Sequence, residues 1–164
     1  MKKYELTDET IEVYGTALHR IKALKDFGNV KKGEPGGYVE SEHNLSQEGN
    51  CWVCGDAKVC GDAEVCGNAK VCGNAKVCGD AEVYGNAEVC GDADYITIKG
   101  LGSKYRNTTI FKTKENIAVK CGCFYGTLAE FVDKVKETHG NSKFAKEYLA
   151  LIDLVKIHFE LEDK

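Results

Sequence analysis

The feature that most constrains this chain is a six-residue repeat in the centre of the sequence. Seven hexads, VCGDAK VCGDAE VCGNAK VCGNAK VCGDAE VYGNAE VCGDAD, run from residue 53 to residue 94. Read as A-x-V-x-G-x, the pattern alternates with the period of a β-strand. One strand of this length is implausible, so we expect the repeated glycines to mark corners. Short strands with a corner every six residues predict a parallel β-helix.

Hexads with an aliphatic residue, a glycine and a small residue resemble the left-handed β-helix of hexapeptide-repeat proteins. The resemblance implies three hexads per triangular coil, and so just over two coils, with residues 38–52 adding an imperfect coil before them. Valine and alanine then point inward. Residues 18 apart stack on one outer face, at the normal strand spacing of about 4.8 Å.

This geometry divides the repeat cysteines into three outward ladders. They are Cys54, Cys72 and Cys90; Cys60 and Cys78; and Cys66 beneath Tyr84. A straight ladder converges poorly for tetrahedral zinc, and a reducing cytoplasm disfavours disulfides between stacked thiols. Because Tyr84 fills the same slot, we favour half-buried packing residues over metal ligands or disulfides. Such faces suit packing against the rest of the chain or a second subunit.

The flanks of the repeat differ from it in composition. Residues 1–37 predict an N-terminal β cap, with a strand at 19–24 and a turn at 33–37, where the single proline lies. Residues 38–94 form the predicted β-helix. Residues 95–164 predict an α+β unit with a strand at 95–100, a hairpin at 107–124 and two helices. Thr127 with Glu130 forms a capping-box pattern, Gly140 ends the first helix, and Ser142 caps the second. The fold class is therefore mainly β.

A second resemblance lies after the repeat. The run GSKYRNTTIFKTKENIAVKCGCFYGTLAEFVDKVKETHG (102–140) is similar to a GCF-containing tail of hexapeptide-repeat proteins from phages and prophages of Gram-positive bacteria. HRIKALKDFGNVKKG (19–33) resembles the front of the same proteins. The resemblance implies a phage or mobile-element origin and a location in the cytoplasm of the infected bacterium.

The run KGLGSKYRNTTIFK (99–112) is the best candidate for a ligand site. Guanidinium and ammonium groups, hydroxyls, flexible glycines and an aromatic ring are what a phosphate or nucleotide ligand needs. The candidate residues are Lys99, Ser103, Lys104, Tyr105, Arg106, Thr108, Thr109 and Lys112, with Arg106 foremost. The spacing is not that of a P-loop. The alternative is a solvated turn that happens to carry lysines.

Two weaker candidates are catalytic. Hexapeptide-type acyltransferases use a histidine as general base, and His43 is the best placed histidine because it lies in the imperfect coil. Cys121 and Cys123 lie on one side of a predicted strand, with His139 as the nearest candidate base. Solvent exposure of His43 and structural packing of the two cysteines are the favoured interpretations.

Charge and hydropathy exclude several functional classes. A net charge of −4 disfavours general nucleic-acid binding and anionic membrane surfaces. No apolar run has the roughly 20 residues that span a bilayer, and no signal peptide is expected. We expect a homo-oligomer, either a trimer or a dimer, without cofactor or metal. A non-enzymatic role is favoured over an enzymatic one. The favoured function is sequestration of a small anionic, nucleotide-like immune signal, which would counter bacterial defence. The alternatives are an inhibitor of a host defence protein and an acyltransferase.

Overall fold

The computed structural model describes residues 1–161. At the N-terminus, β1 (Tyr4–Val13) and β2 (Thr16–Ala23) form an antiparallel hairpin, and β3 (Pro35–Val39) pairs with β2. The predicted strand at 19–24 is confirmed. The predicted turn at 33–37 is wrong in its second half because β3 begins at Pro35. Gly36 and Gly37 are needed there for close packing: a Cβ would lie 2.5 Å from the Ile21 side chain or from the Ala57 carbonyl oxygen.

Seven two-residue strands follow, each ending in the valine of a hexad. They are β4 (Trp52–Val53), β5 (Lys58–Val59), β6 (Glu64–Val65), β7 (Lys70–Val71), β8 (Lys76–Val77), β9 (Glu82–Val83) and β10 (Glu88–Val89). Each of β4 to β7 pairs in parallel with the strand three further on, as Val53 does with Val71 and Val59 with Val77. The chain therefore returns to the same ladder every 18 residues, with three short strands per turn. We refer to residues 52–89 as the coil.

The interior of the coil consists of the repeated valines and alanines. Every hexad valine and alanine from Val53 to Val89 is at most 1% exposed. The predicted imperfect coil is also present, but with two extra residues: Val39 pairs with Val59, and Leu45 bridges to Val65. Val39 and Leu45 are six residues apart, as in a regular hexad, whereas Leu45 and Val53 are eight apart, so the two extra residues lie after Leu45.

The first end of the coil is closed by the N-terminal residues. Lys3 is 1% exposed, and its Nζ donates to the carbonyl oxygens of Cys51 (2.9 Å) and Glu48 (3.2 Å). The Tyr4 hydroxyl donates to the Leu45 carbonyl oxygen at 2.6 Å. These contacts satisfy backbone acceptors at an end that would otherwise be an open sheet edge.

The C-terminal residues form an antiparallel sheet and two helices. The sheet runs β11 (Tyr95–Leu101), β12 (Arg106–Lys112), β13 (Ile117–Cys121) and β14 (Phe124–Thr127) in order. Helix α1 (Leu128–His139) carries the predicted capping box of Thr127 and Glu130, and α2 (Lys143–His158) is capped by Ser142, as predicted. The chain is therefore mainly β with two helices at the C-terminal end. Among the described residues, no helix combines the length and apolarity required to cross a bilayer.

The cysteine ladders on the outside of the coil stack as predicted, but not all of their thiols are free. Cys72 and Cys90 are joined by a disulfide, with their Cα atoms 4.5 Å apart. For this pair the expectation of free thiols is wrong. Neighbouring rungs of a parallel ladder bring two Cα atoms within disulfide distance, which permits the bond but does not require it. Cys54, Cys60, Cys66 and Cys78 are free and partly buried.

Candidate functional site

The residues predicted as one ligand site lie on two faces of the C-terminal sheet. Successive side chains of a strand point to opposite faces, and β12 separates the buried pair Thr108 and Thr109 in this way. The Thr108 hydroxyl lies 3.3 Å from Cys121 Sγ, on the helix side. The Thr109 hydroxyl accepts from the Glu82 backbone N–H at 3.0 Å, on the coil side.

The coil-side face closes the second end of the coil. Thr109 meets the exposed edge of β9, and the Asn107 side chain donates to the Asp80 carbonyl oxygen. Lys99 pairs with Asp80 at 3.3 Å, and Lys112 pairs with Asp94 at 3.2 Å. The predicted site residues Lys99, Thr109 and Lys112 therefore hold the C-terminal sheet against the coil and the segment that follows it.

The helix-side face forms a cavity of about 290 Å³ between the β11–β12 turn, the β13–β14 turn and both helices. We call it the arginine pocket. It contains three predicted ligand residues and both members of the CGC motif, together with side chains from the helices. The lining residues are Ser103, Lys104, Arg106, Cys121, Cys123, Phe124, Phe131, Lys134, Val135, Thr138, His139 and Tyr148. Tyr105 is outside it, at the apex of the turn and 69% exposed.

The pocket is basic. Lys104, Arg106, Lys134 and His139 line it, and none of its described lining residues is acidic. Within residues 1–161 the Arg106 guanidinium has no hydrogen bond or ion pair, whereas Lys134 is paired with Glu137 at 3.5 Å. An unpartnered guanidinium offers five N–H donors in a planar fork that matches phosphate and carboxylate groups. The arrangement therefore suits a small anion with an attached flat group.

Two glycines give the pocket its shape. Gly122 has φ +58°, and a Cβ there would lie 2.5 Å from a terminal nitrogen of Arg106, so the arginine lies across the bare Cα. Gly102 has φ +78°, and a Cβ there would strike the Tyr148 ring near its hydroxyl. Both positions need a residue that tolerates positive φ and has no side chain.

The floor of the pocket holds a buried phenol beside a buried thiol. Burial, followed by the charge of the neighbouring Cys121, raises the pKa of Tyr148 to about 12. The Tyr148 hydroxyl lies 3.3 Å from the Leu101 carbonyl oxygen and 3.8 Å from Cys121 Sγ. The ring of His139 stacks on that of Tyr148 with centroids 5.8 Å apart. Cys121 ends β13, and Cys123 lies in the exposed turn after it, so the expectation that both sulfurs lie on one strand is wrong.

His43 lies far from this pocket along the chain, beside the coil. Its Nε2 is 3.2 Å from a carboxylate oxygen of Glu64, and both side chains are half exposed. A carboxylate that orients a histidine is the arrangement of a general base. Here the pair stands on an open face of the coil.

The comparisons with known proteins match part of the chain. No protein-family model matches the sequence. One relative is an uncharacterised acetyltransferase, YdcK, of Escherichia coli K12. It is 39% identical over 61 residues, which are 32% of this chain and 19% of that protein. This chain thus spans about a fifth of the relative's length.

The sequence pointed to Arg106 but not to the helix residues that line the same cavity. Phe131, Lys134, Val135 and Thr138 line the pocket from α1, and Tyr148 lines it from α2. The spacing of the α1 residues, three, four and seven after Phe131, is that of one helix face. This spacing is visible in the sequence, but it is equally typical of a helix face that packs into a hydrophobic core.

Proposed function

We propose that this chain is a non-enzymatic binding protein that sequesters a small anionic, nucleotide-like ligand in the arginine pocket. The observation that carries the proposal is the unpartnered Arg106 guanidinium, in a cavity with three further basic groups and no described acidic one. Phe124, Phe131 and Tyr148 supply aromatic surface for a flat ring system. Concave sites with a few convergent polar groups and aromatic walls are typical of small-molecule binding.

We further infer that the coil is a left-handed parallel β-helix of the hexapeptide type. The return of the chain every 18 residues supports this, as does the partial similarity to a named acetyltransferase. In this proposal the protein comes from a phage or mobile element and acts in the bacterial cytoplasm, where capture of a nucleotide immune signal counters defence. It works as a homo-oligomer, trimer or dimer, associated through faces of the coil.

The first experiment is a heat-release measurement. Protein made in a bacterium with an active nucleotide-signalling defence is washed and denatured by heat, and the supernatant is analysed by mass spectrometry. We expect an intact nucleotide in the wild-type supernatant. Native mass spectrometry of the same sample reports the oligomeric state.

The matched variants are Arg106→Ala and Lys136→Ala. Lys136 is an exposed lysine of α1 that does not line the pocket, so its removal changes net charge equally. We expect Arg106→Ala to lose at least tenfold in affinity for the released nucleotide, because a charge-assisted bidentate contact disappears. Equal affinity in the two variants would refute the site. A protein without bound nucleotide that co-elutes with a host defence protein would instead support the inhibitor alternative.

An acyltransferase remains the second candidate, favoured by the YdcK similarity and by the His43–Glu64 pair. Under this alternative His43 acts as the general base for an acceptor that attacks acetyl-CoA. Chromatographic measurement of CoA release with a panel of amine and hydroxyl acceptors tests it. Turnover that disappears in His43→Gln would favour the enzyme over the binding protein.

A further inference from the structure

One corner of the coil differs from the others in its side-chain chemistry. The residue after the corner glycine is Asp or Asn in every hexad, and stacking at 18 residues sorts these into three ladders. One ladder is mixed, with Asp56, Asn74 and Asp92. A second has Asp62 and Asp80. The third consists only of asparagines, Asn50, Asn68 and Asn86, because the imperfect coil also contributes one.

The asparagine ladder is continuous, and at its third rung the Tyr125 hydroxyl accepts from the Asn86 backbone N–H at 3.4 Å. The Asn50 backbone N–H donates to the Gly67 carbonyl oxygen, and that of Asn68 donates to the Gly85 carbonyl oxygen, so the three rungs are directly adjacent. All three side chains are exposed. Within residues 1–161 none of the three side-chain amides has a hydrogen-bond partner.

Two cavities meet on this ladder. The larger, of about 550 Å³, lies between Asn68, Asn86 and the Tyr125 ring of β14. The smaller, of about 360 Å³, lies between Asn50, Asn68 and Trp52, near the loop that precedes β3. They share Asn68 and Lys70, so together they form one groove that follows the coil axis. We call it the asparagine groove.

The chemistry of this groove is the opposite of that in the arginine pocket. Four carboxylates line the two cavities against two ammonium groups, which disfavours an anionic ligand. The carboxylates belong to Glu34, Glu88, Glu115 and Glu130, and the ammonium groups to Lys70 and Lys114. Side-chain amides both donate and accept, as do hydroxyl groups. Trp52 lines the smaller cavity, and its buried indole Nε1 has no hydrogen-bond partner in the described part of the chain.

From this juxtaposition we propose that the asparagine groove binds a neutral, linear oligosaccharide. The rungs repeat at about 4.8 Å, which is close to the length of one sugar ring in an extended glycan. An extended peptide rises about 3.3 Å per residue, so its equivalent side chains repeat at about 6.6 Å and fall out of step with the rungs. The Tyr125 ring, which is 39% exposed, offers aromatic surface for the apolar face of a sugar ring, whereas Trp52 is buried in the wall of the smaller cavity.

Trp52 also provides the assay, because it is the only tryptophan in the chain. Maltohexaose, cellohexaose and chitohexaose are titrated against the full-length protein while Trp52 fluorescence is recorded. We expect a saturable change with at least one hexasaccharide at millimolar concentration or below. Failure of all three to bind would overturn the proposal.

The variants are Asn68→Ala with Asn86→Ala, and the control is Asn74→Ala on another corner of the coil. All three side chains are exposed, so the variants are expected to fold alike, which thermal unfolding checks. The double variant should bind the hexasaccharide at least tenfold more weakly, while the control stays within twofold of wild type. Unchanged binding in the double variant would overturn the proposal. Arg106→Ala should leave hexasaccharide binding intact, so this test is independent of the arginine pocket.

Discussion

Replacing Thr109 with valine separates a structural role for this residue from a ligand-binding role. Thr109 is fully buried, and its hydroxyl accepts from the backbone N–H of Glu82 on the outer edge of β9. The same hydroxyl lies 3.2 Å from that of Thr97 and 3.1 Å from the Asn107 amide. Valine keeps nearly the same shape but leaves the edge N–H of Glu82 without an acceptor.

The expected destabilisation follows from that orphaned donor. A buried polar group left without its hydrogen bond costs about 1–3 kcal/mol. For a chain of this size each kcal/mol lowers the melting temperature by about 2–4 °C. The assay is urea unfolding followed by Trp52 fluorescence, together with a thermal melt by circular dichroism.

Thr108→Val is the matched control, because it makes the same change at the neighbouring, equally buried residue. Among residues 1–161 the Thr108 hydroxyl hydrogen-bonds only to the Cys121 thiol, which is a weak acceptor. We therefore expect a loss below about 0.5 kcal/mol. Equal stabilities for the two variants would refute the idea that Thr109 closes the coil edge.

Three further predictions concern the coil. Gly67→Ala should unfold at a lower temperature than Gly79→Ala. The two glycines have similar φ values (+72° and +70°), but a Cβ at Gly67 would lie 2.9 Å from the Gly85 nitrogen, whereas one at Gly79 would meet nothing within 4 Å. Such a clash costs about 1–3 kcal/mol. Equal melting temperatures would contradict this. Under reducing conditions the free energy of unfolding should fall from pH 9 to pH 11, because burial raises the pKa of Cys60 and Cys66 from 9.0 to about 11 and the unfolded chain loses those protons first. Burial lowers the pKa of Lys3, which makes the free energy of unfolding rise with pH instead. Urea titrations across this pH range should therefore show a shallower fall in that free energy for Cys66→Ser and a steeper one for Lys3→Met. Thiol titration of unreduced, denatured protein should count seven thiols, and nine after reduction; nine before reduction would rule out the Cys72–Cys90 bond.

Much of the fold could be predicted because its signals are local and repetitive. The inward valines and alanines follow from the alternation in each hexad, and the helix starts follow from capping residues at Thr127 and Ser142. The β3 strand was missed because Pro35, Gly36 and Gly37 look like a turn. Their real constraint is the distant side chain of Ile21 and the backbone of Ala57, which no local pattern reports.

The candidate site was predicted only in part for a similar reason. Residues 99–112 read as one polar cluster, but β12 directs alternate side chains to different partners. Arg106 lines the pocket on the helix side, and Thr109 reaches the coil. Which face meets which partner depends on how the sheet packs, and that packing is set by contacts with residues as distant as Glu82 and Tyr148.

The closure of the coil at its second end restricts how the repeat can change in length. Thr109, Asn107 and Lys99 meet one face of the coil, at the strand and corner around residues 80–82. Adding or deleting a single hexad would present a different face to them, turned by a third of a revolution. Natural duplications and engineered extensions should therefore be tolerated in multiples of three hexads. Intermediate lengths would leave the C-terminal sheet facing the wrong rung.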